Sequence, residues 1–396
     1  MATFFALKKT SIPFVESADN DITLSPLLSS DSVSIQVLLV ASHVVVIITL
    51  IASAYPLHNG IILPFDIIQE GREILQLSPA QLESRMRSAF KIRTKGFGRT
   101  LYCYGPTSYP YNIKEHQQKS KHNFPSFSVT GTSCALQCEH CSGQLLRGMD
   151  ATLSPDELLS RFSEIAEKGG TGALVSGGSD GQGRVPLLRF GDAIAQGKEM
   201  GLDIVVHTGI VDESTAEMLA AASVDAVMLD IIGDSQVMKQ VYHLRDGVKA
   251  IRASLDILHA HRLPIVPHIL VGLNYGELSG ELNAIDMVSG YDPAGLVVIA
   301  LSPLPKTPME HIQPPAPETI GRIMTVARFA LPKTPLLLGC ARPMGEHKIH
   351  TDRYAVDSGA NGIAYVSQEG VDYAREQSLE PVFQDVCCSL ASQAYT

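Results

Sequence analysis

Charge is scarce in this chain, and basic blocks are absent. Of its 396 residues only 18% are Asp, Glu, Lys or Arg, and the formal net charge is −10. Binding to nucleic acid through phosphates needs a concentration of Lys and Arg, so that class of function is excluded. A disulfide framework is lacking too. The seven cysteines, at 103, 134, 138, 141, 340, 387 and 388, are odd in number, and three of them crowd into eight residues. Such usage fits a reducing compartment, the cytoplasm. One C-x2-C is present, but no second one exists to complete the four ligands of a zinc ribbon.

Between Ser32 and Phe65 there is no charged side chain at all, and Val33 to Pro56 is strongly apolar. A run longer than about eighteen such residues is a membrane-span candidate. Lys8 and Lys9 lie too far upstream for the basic start of a signal peptide, and no A-x-A site follows. No cluster of Lys or Arg flanks the run to set an orientation. Three readings stay open for residues 1–65: a membrane anchor through 33–56, a start codon placed too far upstream, and a packed extension. The remainder divides into a helical lead-in and loop over 66–125, a barrel over 126–366, and a helix or tail over 367–396. In the lead-in, Ser78-Pro79-Ala80-Gln81 carries an N-cap, a Pro at the first helical position and a polar third residue. The stretch from Gly105 to Lys121, rich in Pro, Tyr, Lys and Gln, reads as a surface loop that leads to the first barrel strand and could cover its mouth.

From residue 126 onward short apolar runs alternate with helical patterns. The strands read as Phe127–Thr130, Ala173–Ser176, Asp203–Thr208, Ala226–Asp230, Pro264–Val271, Leu296–Ala300, Pro335–Leu338 and Gly362–Tyr365. Helices fall between them, the first opened by Ser154-Pro155, and others over 186–200, 213–222, 234–261, 277–289, 317–329 and 351–358. This alternation predicts an α/β fold with a parallel sheet, and eight units predict a (β/α)8 TIM-type barrel. A partial barrel with a six-stranded core is the alternative.

The chemistry gathers where such a barrel carries function, at the carboxyl ends of its strands. The first strand leads into Cys134-Ala-Leu-Gln-Cys138-Glu-His-Cys141. Thiolates are soft ligands that select zinc, Cu(I) or iron–sulfur clusters, and three on one loop suit a cubane with one iron left open. A zinc knuckle with His140 as fourth ligand is the competing reading. The second strand ends in Ser176-Gly177-Gly178-Ser179-Asp180, where glycines let backbone groups approach a ligand. Later ends carry His207, Asp230, His268, Ala300, and then Cys340 with Arg342. His207 and His268 read equally well as core histidines, and Asp230 as the cap of the next helix. Cys340 is open to three roles: ligand of a second cluster, substrate contact, or inert buried thiol. Arg342 is placed to grip a carboxylate. The vicinal Cys387-Cys388 reads as part of a mobile tail, with a ligand role as the less favoured alternative.

The C-x3-C-x2-C loop, with the Gly-Gly turn one unit later inside this alternation, resembles the radical S-adenosylmethionine (SAM) superfamily over roughly residues 126–366. His140 takes the place of the aromatic residue that precedes the third cysteine there. The resemblance implies that Cys134, Cys138 and Cys141 hold a [4Fe–4S] cluster, that its fourth iron chelates SAM, and that reductive cleavage yields a 5′-deoxyadenosyl radical. It also implies SAM contacts from Gly177-Gly178 and from His140 near the adenine. The family's Glu after the glycines is replaced here by Ser179 and Asp180. The strings Thr130-Gly131-Thr132-Ser133-Cys134-Ala135-Leu136, Gly183-Arg184-Val185-Pro186-Leu187, Gly339-Cys340-Ala341-Arg342-Pro343 and Ala360-Asn361-Gly362-Ile363-Ala364 resemble the biotin-synthase-like group more narrowly. That group implies sulfur insertion of the lipoyl-synthase kind, with a second iron–sulfur cluster as sulfur donor. It implies a small-molecule or lipoyl-carrier-protein substrate, an electron donor such as ferredoxin or flavodoxin, and a second radical SAM subunit as partner. The three-cysteine N-terminal motif of ordinary lipoyl synthases is missing, which leaves the sulfur donor open, with Cys340 and a partner protein as one source. A radical SAM mutase or methylating enzyme acting on a small metabolite or lipid is the second enzymatic reading. A non-catalytic zinc or cluster-binding protein is the third.

Overall fold

The computed structural model describes residues 33–40, 43–50, 57–58, 61–62, 65–118 and 120–395. The chain forms two units, Met1–Phe65 and Asp66–Thr396. In the first, Val33–Val40 and His43–Leu50 pair antiparallel, Val33 opposite Leu50 and Val40 opposite His43. Both segments are rich in β-branched Val, Ile and Thr, whose stiff side chains favour a pleated backbone; the rest of the span read as an anchor over 33–56 lies outside the described residues. Among the described residues no helix is long and apolar enough to cross a membrane.

The second unit is built on one curled sheet. Its order is Glu380–Gln384, Thr100–Tyr104, Gly362–Ala364, Leu336–Leu338, Leu296–Ala300, Ile265–Val271, Ala226–Asp230, Asp203–His207, Gly172–Ser176, Ser126–Ser128 and Asp150–Ala151. Neighbouring strands pair parallel throughout. The eight strands read from the sequence are all present, each followed by a helical crossover, because buried parallel strands appear as continuous apolar runs. Thr100–Tyr104 joins the same sheet from the lead-in and pairs with Gly362–Ala364, while Glu380–Gln384 joins from the tail. Among the described residues no ladder links Glu380–Gln384 to Ser126–Ser128. Across that gap Asn123 Nδ2 donates to Asp385 O at 2.8 Å, and Thr107 N to Phe124 O at 3.1 Å. The barrel is curled there and bridged by single hydrogen bonds rather than ladder-closed.

Local signals act as read. Ser154 Oγ accepts from Glu157 N at 3.2 Å at the start of helix Pro155–Glu167. Gln81 Oε1 accepts from Ser78 N at 3.0 Å at the start of Pro79–Phe97. One reading fails usefully. The single helix expected over 234–261 is two, Ser235–Val241 and Gly247–Ala260, with His243 between them at φ 61°. A non-glycine residue in the left-handed region breaks the helix, and the break exposes the Val241 carbonyl, which accepts from Glu139 N at 3.0 Å. The described part of the loop over 105–121 also packs more firmly than a solvated connector. Tyr111 Oη donates to Val366 O at 2.8 Å, and His116 stacks on Phe383 with ring centroids 4.8 Å apart.

The barrel interior is filled by Tyr104, Phe124, Val205, Ala226, Met228, Val266, Val297, Leu337 and Ala364, together with Cys388, Leu390 and Ala391 of the C-terminal segment. That segment, Cys388–Tyr395, is a 3-10 turn inside the sheet's curl. Outside the sheet, Arg342 Nη2 donates to Asp352 Oδ1 at 2.8 Å, both side chains almost wholly inaccessible, and Asp352 Oδ2 accepts from Ser367 N at 2.7 Å and Ser367 Oγ at 2.8 Å. Asp352→Ala leaves Arg342 as an uncompensated buried charge and should cost about 3–5 kcal/mol. Chemical denaturation measures it, and a loss under about 1 kcal/mol would show that the pair does not hold the last two crossovers.

Candidate active site at the carboxyl mouth of the barrel

The cysteine loop is seated by its own turns and by the strand beside it. Ser133 N donates to Thr130 O at 3.2 Å, Cys141 N and Ser142 N both donate to Cys138 O, at 3.1 and 2.8 Å, and Gln137 Nε2 donates to Cys134 O at 2.7 Å. Against the second barrel strand, Ala135 N donates to Ser179 O at 2.7 Å, and Thr130 Oγ1 accepts from Gly178 N at 2.7 Å while donating to Ser133 O at 2.9 Å. A Cβ at Gly178 would lie 1.9 Å from Ser133 O and 2.7 Å from the Cα of Cys134. The glycine is therefore needed for the loop's own backbone to approach, before any ligand is considered.

Three free thiols result, Cys138 buried and Cys134 and Cys141 half-buried. The neighbouring Cys138 thiol lowers Cys141 against the opposing effect of burial, and the His140 side chain adds to the lowering. Cys141 and burial together raise Cys138. His140 Nδ1 is buried with no hydrogen-bond partner, and its ring lies 5.3 Å from that of Tyr242. Among the described residues no three His, Cys, Asp or Glu side chains converge closely enough for a single metal ion. A cubane, whose ligated irons stand apart, suits soft thiols spread along one loop, and an orphaned imidazole nitrogen beside them fits a site that accepts a further polar group.

A polar chain runs inward from the loop. Tyr242 Oη donates to Asp230 Oδ2 at 2.9 Å, Asp230 Oδ1 lies 3.4 Å from His207 Nε2, and the His207 and His268 rings are 5.5 Å apart. Burial works to raise Asp230, but the bond and charge of His207 outweigh it and hold the carboxylate low. Burial works to lower His207, and Asp230 reverses it. His268 is lowered to about 4 by burial, with His207 adding. Tyr242 was not legible beforehand, since it sits where the expected long helix breaks.

The remaining candidates divide. Ser176 is buried, its Oγ donating to His207 O at 2.9 Å. Ser179 meets the loop through its carbonyl. The Asp180 carboxylate closes its own turn, accepting from Gln182 N at 2.8 Å and Arg184 N at 3.0 Å. Ala300 is buried, its N–H donating to Ala341 O at 2.9 Å. Arg342 does not face the mouth: its guanidinium is spent on Asp352 and on Gly339 O at 2.6 Å. Cys340 is open to solvent yet hemmed in by protein, and burial raises its thiol. Glu281, the first residue of the helix after the fifth barrel strand, accepts from Gly272 N at 2.9 Å and is raised by burial to about 7.

No protein-family model matches the chain. It is 23% identical over 252 residues to biotin synthase of Buchnera aphidicola subsp. Acyrthosiphon pisum (strain APS), covering 60% of this chain and 70% of that protein. Against biotin synthase of Chromohalobacter salexigens it is 23% identical over 245 residues, 60% of this chain and 65% of the relative. In fold it resembles methylornithine synthase, at TM-score 0.59 and 16% identity, over 84% of this chain and 97% of that one. It also resembles the [FeFe]-hydrogenase maturase HydG from Carboxydothermus hydrogenoformans, at TM-score 0.59 and 15% identity, over 81% and 76%. With its C-x3-C-x2-C loop at the mouth of this barrel, the chain is similar in sequence to biotin synthases and in fold to methylornithine synthase and HydG.

Gly178→Ala should leave the barrel folded but unseat the loop, cutting iron uptake on anaerobic reconstitution at least tenfold; unaltered uptake with an unaltered circular dichroism spectrum would contradict the interlock. For Glu281 the folded pKa lies above the unfolded one, so its stabilising contribution is present below about 4.5 and is lost as pH rises through about 7. Glu281→Gln should therefore gain on the parent by ~1–3 kcal/mol as pH rises through that window, read from denaturation midpoints at several pH values. A gap independent of pH would contradict it.

Proposed function

We propose that this chain is a radical SAM enzyme that binds a [4Fe–4S] cluster and SAM at the carboxyl mouth of its barrel and acts on an unactivated carbon, with sulfur insertion of the lipoyl-synthase kind as the reaction. The observation that carries the reading is the interlock of the cysteine loop with Gly177-Gly178, which presents three soft thiols over a polar interior. Cys134, Cys138 and Cys141 would each take one iron. When bound, the cluster and SAM supply hydrogen-atom abstraction, chemistry that belongs to the cofactor and not to protein side chains.

The chain's own residues hold and shield that chemistry. Tyr242, fixed by Asp230, backs the His140 ring beside the thiols. Asp230, His207 and His268 line the wall below and offer hydrogen bonds to a ribose or a polar substrate group. The loop over 105–121 packs beside the mouth and limits access of water. Three thiols outside the cysteine loop, Cys340, Cys387 and Cys388, favour sulfur insertion over rearrangement, since a sulfur donor needs soft ligands of its own. A ferredoxin or flavodoxin would supply the electron, and the substrate is a small molecule or an acyl chain on a carrier protein.

The test is anaerobic reconstitution followed by assay of 5′-deoxyadenosine from SAM and dithionite. The parent should cleave SAM, and Cys138→Ala should lose the loop cluster and cleavage while keeping its melting temperature. Cleavage by the parent that persists in Cys138→Ala, or zinc uptake with no cleavage at all, would overturn the reading.

A further inference from the structure

The curled sheet leaves a seam between the edge that carries Thr100–Tyr104 and Glu380–Gln384 and the edge that carries Ser126–Ser128. At the mouth this seam is spanned by the segment 105–118, which follows Thr100–Tyr104 and contains the small hairpin of Asn112–Ile113 and His116–Gln117. Its base is fixed. The Gln118 side-chain amide donates to Gly105 O at 3.0 Å, Pro106 O at 3.1 Å and Tyr109 O at 3.1 Å, and its Oε1 accepts from Tyr111 N at 3.0 Å. One side chain thus ties the two ends of the segment together. His116 Nε2 meets Asp385 Oδ1 at 2.6 Å, and Glu115 pairs with Arg375. The backbone at Tyr109 is therefore held, which leaves the side chain as the part that can move.

Tyr365 organises the rings around it. It follows the eighth barrel strand in the left-handed region, at φ 48°, a conformation that a bulky residue keeps only when its surroundings enforce it. Its Oη donates to Pro106 O at 2.6 Å, and its ring stands edge-on to those of Tyr111 and Tyr109, 5.5 and 6.2 Å away. The two neighbours differ. Tyr111 is buried and its Oη donates to Val366 O at 2.8 Å, whereas Tyr109 is 46% exposed. The Tyr109 ring reaches across the seam to Gly148, the last residue of the 3-10 turn that follows the cysteines. A Cβ on Gly148 would lie 2.7 Å from Tyr109 Oη and 3.1 Å from its Cε1. The missing side chain is the seat of the ring. Burial raises the Tyr109 and Tyr365 hydroxyls, and Cys340, which lies behind both rings, adds to the rise. Exposed side chains change rotamer within nanoseconds, far faster than a backbone loop rearranges.

We propose that the Tyr109 side chain is a gate across this seam, closed where its ring rests on Gly148 and open when it swings outward, and that substrate enters the barrel interior sideways past it. The assignment rests on the reading above that the mouth is the active site. Closed, the ring completes the wall between the lead-in strand and the cysteine loop. Open, it uncovers a passage between Gly148 and Tyr365 that leads toward Cys340. A side chain at position 148 would push aside the flexible tip of Tyr109 and no backbone, so it opens the gate without loosening the fold.

The test uses the protein's own free thiols as reporters. Full-length protein, reduced and without added iron or SAM, is alkylated with N-phenylmaleimide, and the rate at each cysteine is read by mass spectrometry of its peptides. Cys340, open to solvent, reports on the passage, and Cys103, buried in the sheet, is the control. Behind a gate the rate at Cys340 scales with the open fraction, so Tyr109→Ala and Gly148→Val should each raise it about tenfold if the open form is a minor state. Tyr109→Phe keeps the ring and should keep the parent rate. In all three variants Cys103 should stay unlabelled and the melting temperature unchanged. A parent-like rate at Cys340 in either Tyr109→Ala or Gly148→Val, or labelling of Cys103 alongside it, would overturn the gate. The assay needs neither cluster nor SAM, so a parent that cannot cleave SAM would sink the proposed function and leave the gate standing.

Discussion

The arrangement of the mouth depends on one close approach, that of the Ser133-Cys134 backbone to Gly178. With no Cβ at Gly178, the turn after the second barrel strand can lie against the cysteine loop, and Thr130 ties the two by accepting from one and donating to the other. The placement of the thiols follows, because the loop between them is closed by its own short turns and is otherwise held by single contacts such as Glu139 N to Val241 O. The constraint is steric before it is chemical. A side chain of any size there would displace backbone rather than a flexible tip, and backbone displacement cannot be absorbed locally.

A second dependence runs through the helix break at His243. Had residues 234–261 formed one helix, the Val241 carbonyl would be satisfied internally and Tyr242 would lie along a helix face. The break frees that carbonyl for Glu139 and turns Tyr242 toward Asp230. A local conformational cost at one residue thus couples the cysteine loop to the fourth barrel strand, and through Asp230 to His207 on the third. Burial alone would neutralise these groups. The bond between Asp230 and His207 keeps the carboxylate ionised and raises His207, while burial, with the charge of His207 adding, lowers His268.

The third feature is the use of the tail as barrel filling. A parallel barrel is normally packed by inward side chains from its own strands. Here Cys388, Leu390 and Ala391 take part of that volume, so the C-terminal segment sets the depth of the interior and brings thiols to it. The gap between Glu380–Gln384 and Ser126–Ser128, bridged by Asn123 and Asp385, is where the chain passes inward.

Much of this was legible in the residues alone. The eight barrel strands stand out because strands buried on both faces are apolar without interruption, and the helices because their caps and periodicity are local. The cysteine loop was legible for the same reason, since its ligand spacing lies within eight residues. Long-range pairing was not legible. Nothing near Arg342 announces that Asp352 consumes it, and Glu380–Gln384, short and carrying a Pro, looks like tail until the sheet edge it joins is known. Tyr242 was hidden because a helical period continues across the break. The amino-acid sequence by itself determined the alternation, the crossovers and the thiol motif, all properties of neighbouring residues. Tertiary structure alone decided which carboxylate meets which cation, where Tyr242 points, and that Cys387 and Cys388 lie inside the barrel, because those outcomes depend on contacts between segments far apart in the chain.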